Sequence, residues 1–250
     1  MQIFETHAHL DFPDFDKDRD DIIQSAYKEG VEYIVNIGVE RNSCENSMKL
    51  AQKYEQIYAA VGFHPHNASE YDEDMLRNIL NNKKVIAIGE IGLDYYRMLT
   101  PKRVQQETFE KQVALAAELN IPIVIHDREA HQNCLDILDK YNPKKLVFHC
   151  YTGDILFAEK ILQRGWNISF TGIITYKNSH LSEVARIIPP DSYFVETDSP
   201  YLSPVPKRGK RNSPLHLRYI IEKLAEIRNV TPKMVAQQTY ENACRFFLES

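Results

Sequence analysis

A chain of 250 residues, 43% hydrophobic and 26% charged, has the composition of an ordinary globular protein and room for one large α/β domain. Its formal net charge of −5 does not suggest a general electrostatic attraction to nucleic acid, so any phosphate has to be handled locally. No apolar run approaches the roughly 20 residues that span a bilayer, the opening MQIFETHAHLD meets charge before a signal-peptide core can form, and Cys44, Cys134, Cys150 and Cys244 lack C-x-x-C spacing, so a reduced, cytoplasmic protein without a membrane partner is expected.

Short β-rich apolar runs recur along the chain, at 2–6, 31–37, 57–62, 84–89, 121–126, 145–149, 166–170 and 193–197. Segments such as RDDIIQSAYKEG and VQQETFEKQVALAAELN lie between them, with apolar residues at helical three- and four-residue intervals. The strand runs are mostly continuous rather than alternating, as in a parallel sheet covered on both faces. Eight strand–helix repeats predict a (β/α)8 TIM barrel with additional C-terminal helices, as a single domain spanning 1–250. A doubly wound open sheet is the competing architecture. Six of the nine glycines, at 38, 62, 89, 92, 153 and 172, fall at or just after predicted strand ends, and Gly30 and Gly165 stand where helices should stop.

In a barrel the chemistry collects where the strands end. The first strand ends with His7 and His9, two imidazoles one residue apart that an extended backbone points to one side. The third leads into GFHPH with His64 and His66, the fourth ends at Glu90, the fifth at His126, the sixth at His149 and the eighth at Asp198. A lone H-x-H is most often a polar turn, and a lone strand histidine a hydrogen-bonded core residue. Six histidines and two carboxylates on one rim are not independent accidents. Glu90 between VIAIG and IGL is costly to bury unless a cation or donors receive it. His131, His180 and His216 lie in helical or loop segments and are assigned no role.

Imidazole with carboxylate suits Zn²⁺, Mn²⁺, Fe²⁺ or Co²⁺, and a carboxylate-rich pair tolerates Mg²⁺. Six ligands exceed one open tetrahedral site and fit two ions about 3.5–4 Å apart, a pair that generates hydroxide near neutral pH and clamps phosphoryl or carbonyl oxygens. No nucleophile elbow, Walker loop or dinucleotide fingerprint competes. The run PKRGKRN places Lys207, Arg208, Lys210 and Arg211 together, although such runs are most often solvated loops. Tyr95, Tyr96, Tyr151 and Tyr201 fall near the rim where unpaired bases stack, but packing is the commoner fate of any one of them.

Taken together, ETHAHLD, GFHPH, GEIGLDYY, IPIVIHDREA, FHCYTG, ETDSPYL and PVPKRGKRNSP, with TGIITYKN and TYENACRFF, resemble the TatD family of metal-dependent hydrolases over nearly the whole chain. The resemblance implies a TIM barrel and a first divalent ion held by His7, His9 and Asp198, with Glu90 bridging to a second held by His126 and His149. The ions would be Mg²⁺, Zn²⁺ or Mn²⁺. It implies Asp198 and Glu90 as the catalytic carboxylates, Asp198 taking a proton from the attacking water, and His64, Arg128 and Arg208 as substrate contacts. The implied activity is that of a deoxyribonuclease, a 3′→5′ exonuclease acting on single-stranded DNA ends. The alternative is an ester or amide hydrolase such as a D-aminoacyl-tRNA deacylase, since one activated water serves either bond. Glu5 stands where the family usually has Asp, and Lys207 where it often has His.

Overall fold

Alternation of strand and helix runs from the first residues to the last strand. The computed structural model describes residues 1–249. The strands are β1 (Ile3–Ala8), β2 (Val31–Gly38), β3 (Ile57–Val61), β4 (Val85–Asp94), β5 (Ile123–Arg128), β6 (Leu146–Phe148), β7 (Asn167–Phe170) and β8 (Tyr193–Val195). Between them lie α1 (Arg19–Lys28), α2 (Arg41–Lys53), α3 (Glu73–Leu80), α4 (Lys102–Leu119), α5 (His131–Tyr141), α6 (Ile155–Leu162) and α7 (Leu181–Ile187), followed by α8 (Leu217–Arg228) and α9 (Pro232–Phe247). All eight strands belong to one sheet in the order β1 to β8, the sequential parallel topology of a (β/α)8 barrel with extra C-terminal helices. A doubly wound sheet would reverse its order at a switch point, and this one does not. No described helix is long and apolar enough to cross a membrane.

The chain divides into two compact units, Met1–Val35 with Cys150–Ser250, and Asn36–His149. In the first, the C-terminal helices supply the aromatic cover of β1 and β8. Phe247 packs 5.9 Å from Phe4, and Phe246 lies 5.1 Å from Phe194. Helix α9 begins where Thr231 accepts the Met234 N–H and Pro232 takes the first turn, where its missing N–H leaves no bond unmade. Asn242 Nδ2 then donates to the carbonyls of Pro190 and Tyr193, tying the helix to the start of β8.

In the second unit, two buried glutamines on α4 set the ends of β3 and β4. Seven residues apart, Gln105 and Gln112 share one helix face. Gln112 accepts from Phe63 N–H at 2.8 Å and donates to Phe63 O at 3.1 Å. Gln105 does the same for Asp94, at 2.9 and 3.1 Å. These bonds satisfy the main chain of Phe63 just beyond β3 and of Asp94 at the last position of β4.

The predicted end of the fourth strand is corrected by the structure. Strand β4 does not stop at Gly89 but runs ten residues, to Asp94. Its register with β5 shifts between Ile88 and Ile91 and then holds through Gly92↔His126 and Asp94↔Arg128. Gly92 is required there, because a Cβ would sit 1.9 Å from His126 O and its φ is +147°. Gly30 (φ +95°) and Gly165 (φ +72°) follow α1 and α6 as expected. Helices α4, α5 and α8 end instead on left-handed asparagines, Asn120, Asn142 and Asn229.

Candidate metal centre

In the first unit, His7, His9 and Asp198 meet where the end of β1 pairs with the segment after β8. His9 N–H donates to Ser199 O at 2.8 Å and Asp198 N–H to His7 O at 2.9 Å, around a parallel bridge between Ala8 and Ser199. These bonds turn both rings and the carboxylate to one point. His7 Nε2 and His9 Nε2 lie 3.3 Å apart, at 3.7 and 3.4 Å from Asp198 Oδ1. His9 stacks on Phe12 at 4.7 Å, which holds its plane. His7 is fully buried and His9 nearly so, and one ligand atom from each of the three residues fits within 4.8 Å of the others. Two imidazoles meeting through the same nitrogen, beside a carboxylate, form a donor set that a divalent cation completes.

In the second unit, Glu90 is the hub. Its Oε1 lies 2.6 Å from His126 Nδ1, 2.7 Å from His149 Nε2 and 3.6 Å from His64 Nε2. Burial alone would raise the Glu90 carboxyl, but the His149 and His64 rings and the hydrogen bonds of His126 and His149 outweigh it and hold the group well below the usual carboxylate range. His126 meets a second carboxylate with its other nitrogen, Nε2 lying 3.3 Å from Asp94 Oδ2. Burial pulls that ring's pKa down, yet its bonds to Asp94 and Glu90 leave it raised. His64 is different. Burial and the neighbouring His126 keep its pKa well below 6.5. Its Nδ1 accepts the His66 N–H at 3.1 Å, so the neutral ring carries its proton on Nε2. His64, Glu90 and His126 again offer three ligand atoms within 4.8 Å of one another.

Both donor sets lie on or just after strands of the sequential parallel sheet, and comparison with known proteins identifies the family of this fold. The family of TatD related DNases matches residues 4–248. The chain belongs to this family. It is 39% identical over 251 residues to a Bacillus subtilis (strain 168) relative described as the uncharacterized metal-dependent hydrolase YabD, covering 98% of each chain. It is 34% identical to the 3′-5′ ssDNA/RNA exonuclease TatD of Salmonella typhimurium, again with 98% of each covered. Among solved structures, the Escherichia coli TatD homologue YJJV superposes with a TM-score of 0.92 at 30% identity, covering 98% of this chain and 97% of that one. The protein is thus a metal-dependent hydrolase of the TatD family, and its imidazole–carboxylate sets are suited to metal ions.

Within the TatD pattern, the unusual Glu5 has a definite place. It is fully buried, and it accepts Thr197 Oγ1–H at 2.6 Å, Thr197 N–H at 2.8 Å and His7 N–H at 3.2 Å. Burial still pushes its carboxyl up to about 8 against those bonds. Glu5 therefore braces the strand that carries His7 against the residue preceding Asp198. Lys207, where the family often has His, is half-buried in the basic loop and its N–H donates to Pro204 O at 2.6 Å.

Asp94 is the residue that sequence reasoning missed. It is buried, accepts backbone N–H groups of Tyr96 (3.0 Å) and Arg97 (2.7 Å), and receives His66 Nε2 at 3.0 Å as well as His126. Burial raises its carboxyl, but those donors pull it well down. The signal was present in GEIGLD, where Glu90, Gly92 and Asp94 alternate onto one face once the strand is allowed to continue.

The remaining candidates separate by surroundings. Arg128, two residues beyond His126 on β5, lies with its guanidinium 4.0 Å from the Tyr96 ring centroid, and Tyr96 is exposed. Arg208 lies 4.3 Å over Tyr176. Tyr151 is buried, donating its hydroxyl to Asp154 O, and Tyr95 is held by Gln106 and covered by Lys102, so both have packing roles. Tyr201 is exposed. Arg211 pairs with Asp18 at 2.6 and 2.9 Å.

Proposed function

We propose that this protein is a two-metal phosphodiesterase that removes nucleotides from the 3′ ends of single-stranded DNA. The observation that carries the reading is the His7/His9/Asp198 donor set together with Glu90 and the His126 and His149 nitrogens 2.6 and 2.7 Å from its Oε1, on a chain 34% identical to a protein named as a 3′-5′ ssDNA/RNA exonuclease. Divalent ions, of which Mg²⁺, Mn²⁺ and Zn²⁺ suit these donors, supply electrophilic activation of the phosphate and acidify an attacking water. The chain's own groups do the rest. Asp198, partly exposed beside two buried imidazoles, takes the proton that the attacking water gives up. His64 presents Nε2–H as a donor to a phosphate oxygen rather than as an ion ligand. His66 and Asp94 hold His126 in orientation, the outer carboxylate fixing which ring nitrogen faces inward. Arg128 and Arg208 bind flanking phosphates of the strand. The scattered cysteines, without C-x-x-C spacing, support a reducing, cytoplasmic setting for this activity.

The test is single-stranded DNA labelled at either end, incubated with Mg²⁺, Mn²⁺ or Zn²⁺ beside a His7→Ala/His9→Ala control. Metal-dependent shortening of 5′-labelled strands, lost in the control, is the expected result. Intact DNA with all three ions, using folded and metal-loaded protein, would sink the nuclease reading and direct attention to aminoacyl esters.

A further inference from the structure

Within the first unit, the loop after β7 lines, with Thr152 and with Arg208 of the loop after β8, an open cavity of about 430 Å³, in the range of small-ligand pockets. Its lining joins apolar Ile173 and Leu181 to Tyr176, Lys177, Asn178 and Arg208. The two loops are fixed to each other. A Cβ on Gly172 would sit 2.0 Å from Leu202 O, so only glycine allows the approach. Val205 N–H donates to Thr175 Oγ1 at 2.9 Å, and Tyr176 Oη–H donates to Ser203 O at 3.1 Å. Asn212 closes the basic loop, its Nδ2 donating to Thr197 O and Tyr201 O on either side of Asp198.

Two cations reach this cavity. The Arg208 guanidinium carbon lies 4.3 Å over the Tyr176 ring centroid, and a guanidinium offers its N–H groups as a fork to a planar, bidentate partner. Among the described residues, neither Arg208 nor Lys177 has a side-chain hydrogen bond or ion pair, whereas Arg211 of the same loop is taken by Asp18. The combination is an anion donor lying over an aromatic ring, a second cation and an apolar wall, around a space of about 430 Å³.

We infer that this cavity is a subsite for one nucleotide flanking the cleaved bond, with Arg208 and Lys177 on its phosphate and Ile173 and Leu181 against its sugar and base. The inference rests on the nucleic-acid reading above. It adds that the neighbouring phosphate is held separately from the reacting one. Contacts to a part of the substrate that does not react then contribute to catalysis on strands and not on small diesters.

The experiment compares wild type, Arg208→Ala, Arg208→Lys and Lys177→Ala, each metal-loaded and with folding checked by circular dichroism. The substrates are bis(p-nitrophenyl) phosphate, a short oligothymidylate, and the same oligomer with a neutral methylphosphonate at the link next to the terminal one. Arg208→Ala is expected to lower kcat/KM on the oligomer about ten- to a hundredfold, the scale of one lost charge-assisted contact, and at least tenfold more than on the small diester. Arg208→Lys should fall between, and Lys177→Ala should follow in the same direction. The methylphosphonate should cost wild type a similar factor, and the two losses should not add, because they remove the same contact. Affinity for a phosphorothioate oligothymidylate should lose salt dependence by roughly 0.7 in the log–log slope. Equal losses on small diester and oligomer would put Arg208 on the reacting phosphate and overturn the subsite, as would full additivity with the methylphosphonate. If wild type cleaves neither substrate, the nuclease reading fails; phosphorothioate binding that Arg208→Ala weakens would then still support the subsite, and unchanged binding would overturn it as well.

Discussion

The two donor sets differ in how they are built. His7, His9 and Asp198 come from two adjoining stretches of main chain, and backbone bonds between those stretches do the aiming. The set around Glu90 draws on β4, β5, the residue after β6 and the loop after β3, and its rings are aimed by side chains, Asp94 and Glu90 receiving His126 from opposite sides. A site aimed by backbone depends on its ligands and on the bracing beneath them. A site aimed by side chains depends as much on the outer carboxylate, because each ring nitrogen is oriented by what the other one meets.

That contrast can be broken at several points. Replacing both His7 and His9 by Ala should lower metal-dependent hydrolysis of end-labelled single-stranded DNA by more than about a hundredfold, beyond the range typical of outer partners; residual activity within tenfold of wild type would remove the first set from the chemistry. Asp94→Asn, though it contributes no ligand, should weaken metal binding about ten- to a hundredfold in a chelator competition. An unchanged affinity would make Asp94 a packing residue.

The same variant sharpens the pH behaviour. His126 has a raised pKa, so as pH falls through the neutral range protons compete with an ion for that ring. A side-chain amide accepts more weakly than a carboxylate, so the His126 pKa, read by NMR titration of the metal-free protein, should move down in Asp94→Asn, and a pKa that moves up would contradict the stated cause. Thr197→Val removes one of the donors on buried Glu5 and should cost about 1–3 kcal/mol in denaturant unfolding. Arg211→Ala, which breaks a partly exposed pair with Asp18, should cost no more than about 1 kcal/mol.

How much of this was legible depended on whether the cause was local. H-x-H at the end of an apolar run reads directly, because strand periodicity alone places both rings. Glu90, His126, His149 and Asp198 were legible through the repeat of strands and helices, which brings strand ends together whatever the loops contain. Asp94 was not, because Gly89 and Gly92 look like strand terminators. In the fold they are what lets β4 continue, Gly92 by admitting His126 O where a side chain would clash. The basic run could not be sorted either. Arg208 and Arg211 are three residues apart, but one meets Tyr176 and the other Asp18, partners that only the tertiary fold supplies. Glu5 showed in the sequence only as a Glu where the family usually has Asp. Its burial beneath Thr197 makes it a brace whose length matters.

The most direct test of two separately built ion sites is the metal content per chain after loading with Mn²⁺ and removal of free ion, measured for wild type, His7→Ala/His9→Ala and His126→Ala/His149→Ala. Two equivalents in wild type and one in each variant is the expected result, with folding retained. Equal content in all three proteins, or none in wild type, would contradict it.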